Sequence, residues 1–233
     1  MSIMELKSPR TTAIETHRPR RRSNAERSAA TRARLIEAAV DCLYRLGYMA
    51  TTTVLVAKKA KVSRGAMLHQ FPTKVDLMLA VVVHAVTVHD QFHRRELMKC
   101  KRGIERFMAL TDVAWEVAKQ PSSIALTEIM MATRSDPELR RRFPPIAKEL
   151  ERLRRSGVWE IAEDIGITDR VAIDTMVQLH MAALHGLSLS LMFTPDKRAG
   201  KPAVELLKWY KTQLVNTLAP EIRNGNGRAA GGS

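Results

Sequence analysis

The residues best suited to chemistry lie in one short stretch, TTVLVAKKAKVSRGAMLHQFPTK (residues 52–74). It contains two helical patterns of roughly two turns each, too short to be stable alone, joined by a tight turn. The second carries Arg64, Gly65, His69 and Gln70 in place of core residues. An arginine can donate two hydrogen bonds to a guanine edge, and small residues let a helix backbone approach DNA. The stretch therefore indicates a helix-turn-helix whose second helix enters the major groove.

Other reactive side chains form weaker patterns. His89 and His93 stand one helical turn apart with His84 nearby, but two histidines are half of a metal site, and a solvated helix face is the favoured interpretation. Cys42 and Cys100 lack metal-ligand spacing. The sequence contains no glycine-rich phosphate loop, GxSxG, HExxH or CxxC motif. We therefore predict no catalytic residue, metal or cofactor.

Positive charge is concentrated in the first third of the chain. The formal net charge is +14. Residues 1–74 contain 15 Lys and Arg against 5 Asp and Glu, whereas residues 75–233 contain 23 against 19. A basic surface attracts nucleic acid, anionic membranes or acidic partners. Its coincidence with the helix-turn-helix pattern favours nucleic acid.

The elements that must position these residues are all helical. Apolar residues recur at helical spacing from Ser28 to Leu46, and Gly47 follows where a helix end is expected. A long amphipathic helix is predicted from Lys74, and strand patterns are absent. Further helices are predicted over 102–119, 121–133, 145–165, 168–193 and 202–218. The prediction is an all-α fold, with an N-terminal three-helix DNA-binding domain followed by a C-terminal helical ligand-binding and dimerisation bundle.

Composition divides the chain into four segments. Residues 1–26 are predicted to be a disordered basic arm and residues 27–73 the DNA-binding domain. Residues 74–219 are predicted to form the effector-binding and dimerisation domain, and residues 220–233 a flexible tail. The N-terminus lacks a signal-peptide pattern, and no uninterrupted apolar run of about 18 residues occurs. We expect a cytoplasmic protein without a membrane span.

A family resemblance is carried by about 50 residues, ARLIEAAVDCLYRLGYMATTTVLVAKKAKVSRGAMLHQFPTKVDLMLAVV. They include the Ala-Ala of the first helix, the Gly-Tyr and Thr-Thr pairs, Val-Ser-x-Gly and Phe-x-x-Lys. This segment resembles the N-terminal domain of tetracycline-repressor (TetR) family transcriptional regulators. The remaining residues resemble that family only in length and helical pattern.

The resemblance implies a DNA-binding set that spans both short helices and the start of the next. Its members are Thr52, Thr53, Ser63, Arg64, Gly65, Ala66, Leu68, His69, Gln70 and Lys74. Three positions depart from the family pattern, among them Leu55, where a polar residue is common. Leu68 stands where the family usually has a phosphate-binding Tyr, and Lys61 stands where the turn usually has Gly. Lys61 must therefore adopt a backbone conformation that Gly accepts more readily.

The C-terminal helices are expected to form a homodimer and to bind an effector. Residues 168–193 and 202–218 carry apolar and small residues that permit close helix packing, although a core role is the alternative. The predicted interface contains Ala182, His185, Gly186, Leu189, Leu207 and Leu214. The candidate effector-pocket residues are Met108, Trp115, Met130, Met131 and His180, and ordinary core is the favoured interpretation of each.

The sequence thus predicts a homodimeric repressor that binds a palindromic operator in double-stranded DNA and is released by a small-molecule effector. A basic protein that coats DNA without sequence preference remains an alternative because of the arm and the charge. An all-helical enzyme is the less favoured alternative, since a missing motif does not exclude one.

Overall fold

The computed structural model describes residues 23–194, 196 and 198–219. This part of the chain is all-α, as predicted, and contains nine helices and no strand. The helices are α1 (Asn24–Ala50), α2 (Thr53–Lys59), α3 (Arg64–Gln70), α4 (Lys74–Leu97), α5 (Ile104–Ala118), α6 (Pro121–Ala132), α7 (Pro137–Glu163), α8 (Arg170–Phe193) and α9 (Lys201–Leu218).

Helix α1 begins earlier than the apolar pattern suggested because Ser23 forms a capping box. The Ser23 Oγ accepts the Glu26 backbone N–H, and a Glu26 carboxylate oxygen accepts the Ser23 N–H at 2.7 Å. Residues 24–26, predicted to belong to the arm, are therefore helical. The rest of the predicted arm, residues 1–22, and the predicted tail, residues 220–233, lie outside the described residues.

Gly47 interrupts α1, as the sequence predicted for its end. Its φ of 76° is outside the helical range, and the following residues make one further turn. A Cβ at this position would lie 3.1 Å from a Glu128 carboxylate oxygen of α6. Gly47 thus permits both the backbone conformation and the close approach of α6.

The start of α7 was predicted wrongly. Pro144 and Pro145 were expected to begin this helix, but both lie inside it. The helix begins at Pro137, where Asp136 accepts the Leu139 N–H at 3.0 Å and a proline at the first position loses no helical hydrogen bond. Leu139 and Phe143 are buried on the first turns. Their burial favours the helix despite the two internal prolines.

The N-terminal helices share a core with α6 and α7. Leu35 and Leu43 of α1 pack with Met67 and Phe71 from the α3 region, and the same cluster continues through α4 to Ile129 of α6. Helix α1 makes its most extensive helix contact with α6. The packing is therefore continuous across the predicted boundary at residues 73 and 74.

Two smaller clusters occupy the C-terminal helices. One joins Phe107 of α5 to α7, α8 and Val215 of α9. The other joins Trp115 of α5 to Leu184 of α8 and Val204 of α9. Helices α8 and α9 also leave large apolar side chains exposed, including Leu179, Phe193, Leu206, Trp209 and Tyr210.

Two of the described helices, α4 and α8, are long and apolar enough to cross a membrane by length and mean hydropathy. Neither helix is an uninterrupted apolar run, because α4 includes His84 and His89 and α8 includes His180 and His185. Core helices of soluble proteins pass the same test. Buried residues from Val75 to Ala85 place the first part of α4 in the core described above.

Candidate DNA-binding site

The turn between α2 and α3 is held by an arginine from α1. Lys61 has a φ of 52°, the left-handed conformation expected from its position. The Arg34 guanidinium donates to the Lys61 carbonyl at 3.0 Å and also to the Ala60 carbonyl. The Val62 N–H donates to the Ala57 carbonyl at 2.9 Å and closes the turn. The strained lysine is thus supported by hydrogen bonds from two other elements.

Helix α3 presents one buried and one exposed face. Ser63 caps it by accepting the Ala66 N–H at 3.2 Å. Met67 is buried on the inner face, and Phe71 is buried just beyond the helix. Arg64, Gly65 and His69 are exposed on the outside. A Cβ at Gly65 would meet no atom within 4 Å, so the backbone at this point is open to an approaching molecule.

Leu68 lies on the outer face of α3 with 45% of its surface exposed. The departure from the family pattern therefore places an apolar side chain where it can be contacted from outside. Such a group can pack on a thymine methyl but cannot donate to a phosphate.

Cations surround this face. Lys58, Lys61 and Arg64 are exposed and form no ion pair within the described part of the chain. Lys59, by contrast, pairs with Asp41 of α1. The three unpaired cations make the α2–α3 surface electropositive, which suits phosphate binding.

The remaining predicted contact residues differ in availability. Thr52 is exposed and its Oγ1 accepts the Leu55 N–H at 3.2 Å, while Thr53 and Ala66 are half-buried. Gln70 is half-buried and its side-chain amide donates to the Ser28 Oγ at 2.7 Å. Lys74 is turned inward: its Nζ donates to the Tyr48 carbonyl at 2.7 Å. Burial lowers the pKa of Lys74, and Asp136 partly opposes that shift.

Tyr48 links this site to the C-terminal helices. Its hydroxyl donates to Asp136 Oδ2 at 2.6 Å, and its backbone N–H donates to Glu128 at 2.9 Å. The Lys74 ammonium also lies 3.9 Å from the centre of the Tyr48 ring. Arg142 of α7 adds a second bridge to α4 through Asp76 at 2.8 Å. The start of α4 is therefore tied to α1, α6 and α7.

The five candidate effector-pocket residues are not brought together. Met130 and Met131 are exposed on α6, and Met108 packs partly against the Phe107 cluster. Trp115 belongs to the other C-terminal cluster, where its ring lies 3.0 Å from a Cβ built on Gly200. His180 is buried, and its Nδ1 lies 3.0 Å from the Met176 carbonyl oxygen. These placements match the core interpretation for Trp115 and His180.

The prediction that His89 and His93 lie on a solvated face of α4 was wrong. His89 and His93 are mostly enclosed, and His89 Nε2 lies 2.8 Å from the Ser122 Oγ of α6. Burial, followed by the charges of neighbouring histidines, lowers the pKa of His89 to about 4. No group of three His, Cys, Asp or Glu suited to a metal ion occurs among the described residues. The periodicity did not reveal the enclosure, because helices far along the chain cover this face.

Three of the six predicted dimer residues line one groove. Ala182 and Gly186 of α8 and Leu207 of α9 line an open groove together with Ala183, Ser190 and Leu206. Leu189 and Leu214 are half-buried nearby along the same two helices. His185 does not line the groove. His185 is half-buried, and burial, followed by the positive charge of Arg154 on α7, lowers its pKa.

Arg34, Tyr48 and Glu128 support the site through hydrogen bonds, and the sequence did not predict this role for them. Tyr48 was noted only as part of a motif, and Glu128 lies 80 positions away from its hydrogen-bond partner. No local spacing connects residues so far apart. The Gly-Tyr pair of the family resemblance was the signal for Tyr48, and it did not identify the partners.

Comparison with known proteins agrees with this geometry. The model of the family "Bacterial regulatory proteins, tetR family" matches residues 35–81, which extend from α1 into α4. The HTH-type transcriptional regulator CymR of Pseudomonas putida is 34% identical over 122 residues, or 52% of this chain and 60% of that protein. The chain spans about three fifths of the length of the curated relatives it matches.

Solved structures share the fold. A transcriptional regulator from Rhodococcus sp. Rha1 aligns with a TM-score of 0.61 and 19% identity, covering 80% of this chain and 96% of that one. The multidrug binding protein EbrR, complexed with imidazole, aligns with a TM-score of 0.53 and 23% identity, covering 78% and 93%. These likenesses extend the fold agreement beyond α4 to the C-terminal helices. Over residues 35–81, which hold the helix-turn-helix, the chain is thus similar to the tetR family of bacterial regulatory proteins.

Proposed function

We propose that this chain is a cytoplasmic, homodimeric transcriptional repressor that binds a palindromic operator and is released by a small-molecule effector. The observation that carries the proposal is the outer face of α3, where Arg64 and Gly65 are exposed on a helix fixed from beneath by buried Met67. A helix held in this way can enter the major groove with little loss of conformational entropy.

Base recognition is assigned to Arg64, with Leu68 and His69 on the same exposed side of α3. Phosphate binding is assigned to Thr52, Lys58 and Lys61, which surround that face. Lys74 is assigned a positioning role in the unbound protein, because its ammonium is already held by the Tyr48 carbonyl. This assignment replaces the phosphate contact that the family resemblance implied for Lys74.

Dimerisation is assigned to α8 and α9. The groove is lined by Ala182, Gly186 and Leu207, and the same two helices carry exposed Trp209 and Phe193, the latter with 86% of its surface exposed. Contiguous exposed apolar side chains on a protomer are typical of an interface. A two-fold dimer would place two α3 helices about one DNA turn apart, roughly 34 Å, which matches a palindrome.

Effector release is assigned to α4. Its first residues, Lys74 and Asp76, contact Tyr48 and Arg142 respectively, and its later residues lie among the C-terminal helices. A ligand that binds one position of α4 better than another would change the separation of the two α3 helices. The Tyr48 hydrogen bonds to Glu128 and Asp136 would transmit movement of α6 and α7 as well.

The proposal is tested by selecting genomic fragments with the purified protein at physiological salt and excess random DNA. Enrichment of a short palindrome is expected, because specific binding survives competitor DNA. Recovery of arbitrary fragments would favour the DNA-coating alternative, and recovery of none would contradict DNA binding.

The role of Arg64 is tested on the selected operator with Arg64→Ala. We expect a loss of about 1–3 kcal/mol in binding free energy on the operator and little loss on random DNA. Arg45→Ala is the matched control because it also removes one positive charge from the surface. Arg45 lies on α1, outside the α3 face, and pairs with Asp41. Equal losses of Arg64→Ala on both DNAs would remove Arg64 from base recognition.

The interface is tested with Gly186→Leu. A Cβ at Gly186 meets no atom within 4 Å of the same protomer, so the variant should fold as the wild type does. In the proposed dimer the leucine would enter the groove and separate the two copies. Sedimentation should then show monomers with unchanged helical content; a dimer of wild-type affinity would place the interface elsewhere.

A further inference from the structure

Positive charge continues past the start of α1 into the residues that precede it. The sequence Arg-Pro-Arg-Arg-Arg, residues 18–22, directly precedes Ser23, and we name it the arginine segment. It lies outside the described residues. From residue 18 to residue 34 the chain contains seven arginines and one acidic residue, Glu26, which is used in the capping box of α1. The end of α1 next to the arginine segment is therefore strongly basic.

The start of α1 lies beside the end of α3. The Gln70 side-chain amide donates to the Ser28 Oγ at 2.7 Å, and the Arg32 guanidinium lies 4.4 Å from the centre of the Phe71 ring. Ser23 precedes Ser28 by five residues, which corresponds to about 7.5 Å along a helix. The major groove is about 12 Å wide. The chain therefore enters α1 within about one groove width of the Gln70 side chain.

Two arginines of α1 extend the basic surface from α3 toward the arginine segment. Arg27 and Arg32 are exposed, and among the described residues their hydrogen bonds go to neutral groups, the Asn24 side chain and the Gln70 carbonyl. Their positive charges are therefore available for phosphates. In the proposed complex α3 occupies the major groove, so these phosphates belong to the strand that separates this groove from the next minor groove.

The minor groove beyond that strand suits the arginine segment. Five extended residues reach at most about 17 Å, which is enough to cross one backbone. The minor groove is about 6 Å wide, too narrow for a helix but open to single side chains. Runs of A·T pairs narrow it further and strengthen its negative potential, which attracts arginine. Charge and reach therefore favour this groove as the partner of the arginine segment.

We propose that the arginine segment enters the minor groove that flanks the half-site bound by α3 and recognises A·T base pairs there. A·T and T·A pairs present only acceptors in this groove, and guanidinium N–H groups donate to them. A G·C pair adds the guanine 2-amino donor, which an arginine cannot accept. The inference rests on the proposed repressor, because it adds a second contact with the operator to that of Arg64.

The test uses the full chain and the selected operator with three versions of the base pairs outside each half-site: A·T, G·C and inosine·cytosine. Inosine lacks the 2-amino group of guanine, so its pair resembles A·T in the minor groove and G·C in the major groove. At physiological salt the protein should bind the A·T and inosine·cytosine versions about fivefold or more tightly than the G·C version. Fluorescence anisotropy of labelled duplexes measures the three affinities.

Arg20→Ala combined with Arg21→Ala should remove most of this preference. The slope of log affinity against log salt concentration should also become shallower, by about 0.9 for each cation lost from the phosphates. The matched control is Arg94→Ala combined with Arg95→Ala, which removes two adjacent arginines with 77% and 64% side-chain exposure at the far end of α4. The control variant should keep the wild-type preference.

Three results would overturn the inference. They are equal affinity for all three versions, an inosine·cytosine version bound like G·C, and an arginine-segment variant that keeps the wild-type preference. The second result would move the contact to the major groove. Each of them leaves operator binding, and hence the proposed function, in place. Failure to select any palindrome would instead contradict the repressor and, with it, a minor-groove contact beside a half-site.

Discussion

The N-terminal helices and the C-terminal helices treat their polar groups differently. In α1 to α3 polar side chains are used as caps, as at Ser63 and Thr52, or are presented to solvent, as at Arg64. Among the described residues, α4 to α9 contain six enclosed side-chain atoms without a hydrogen-bond partner, at His93, Arg106, Thr111, Arg154, Asp174 and His180, whereas α1 to α3 contain one, Asp41 Oδ2, which lies within ion-pair distance of Lys59. The contrast holds within residues 23–219 as far as they are described.

This difference indicates how the work is divided. A surface that recognises DNA must hold its side chains in place before binding, so its supporting groups are paired and its core is closed. A region that responds to a ligand keeps polar atoms that only the ligand completes, at a cost in stability. Under the proposed function, the first region keeps a fixed shape and the second changes its conformation.

The closed N-terminal core can be broken at Phe71, which is 1% exposed and lies 4.4 Å from the Arg32 guanidinium. Phe71→Ala should lower the free energy of unfolding by about 3–5 kcal/mol, the usual cost of removing a buried phenyl group. Urea denaturation followed by circular dichroism at one protomer concentration would measure it. Met49→Ala, at a 79% exposed position, should change little. A similar loss in both variants would deny that Phe71 belongs to a closed core.

The C-terminal region buries a lysine, Lys211, whose protonation state can be tested by the pH dependence of stability. Lys211 is 1% exposed, its Nζ donates to the Phe107 carbonyl, and burial lowers its pKa to about 7. Between pH 7 and 9 the unfolded chain binds the proton more tightly than the folded one. The free energy of unfolding should therefore rise by up to about 1.4 kcal/mol per pH unit.

Lys211→Met should remove most of that rise, because methionine fills similar space without a proton to lose. Denaturation at several pH values gives the slope of the free energy of unfolding against pH for each protein. The pKa of Cys42, which burial raises, affects both slopes alike. Parallel slopes in wild type and variant would show that Lys211 is not protonated differently in the two states.

The link between the two regions can be weakened at Tyr48. Tyr48→Phe removes the hydroxyl that donates to Asp136 at 2.6 Å, and we expect a loss of about 1–2 kcal/mol in stability. Tyr44→Phe is the control, since Tyr44 is 40% exposed on the same helix. If the link transmits effector binding, Tyr48→Phe should also reduce operator release; unchanged stability and unchanged release together would assign the contact no role.

The smallest expected effect is a gain at Lys61. Lys61→Gly removes the strain of a side chain on a residue with positive φ, at a cost in chain entropy. The substitution should stabilise the protein by about 0.5–1 kcal/mol. Lys58→Gly, inside α2, should instead destabilise by about 1 kcal/mol. Thermal melts measure both. A destabilised Lys61→Gly would mean that Arg34 and the turn favour lysine more than the φ angle suggests.

Local sequence signals predicted most of the helices because capping and periodicity act over a few residues. Thr52, Ser63 and Thr73 cap the helices as their types suggest, and the bounds of α5, α6, α8 and α9 agree with prediction within two residues. The exception at α7 arose because a proline pair is a strong local stop signal. Burial of Leu139 and Phe143 by distant helices outweighed it.

The sequence by itself determined the helical fold, the helix-turn-helix and the family resemblance of residues 35–81, since each depends on residues close together along the chain. Tertiary structure alone decided that Lys74 is turned inward, that Tyr48 joins α1 to α6 and α7, and that His89 contacts Ser122 of α6. The reason is physical: burial and charge at these groups come from helices 30 to 90 residues away, and no local pattern records which helices will cover them.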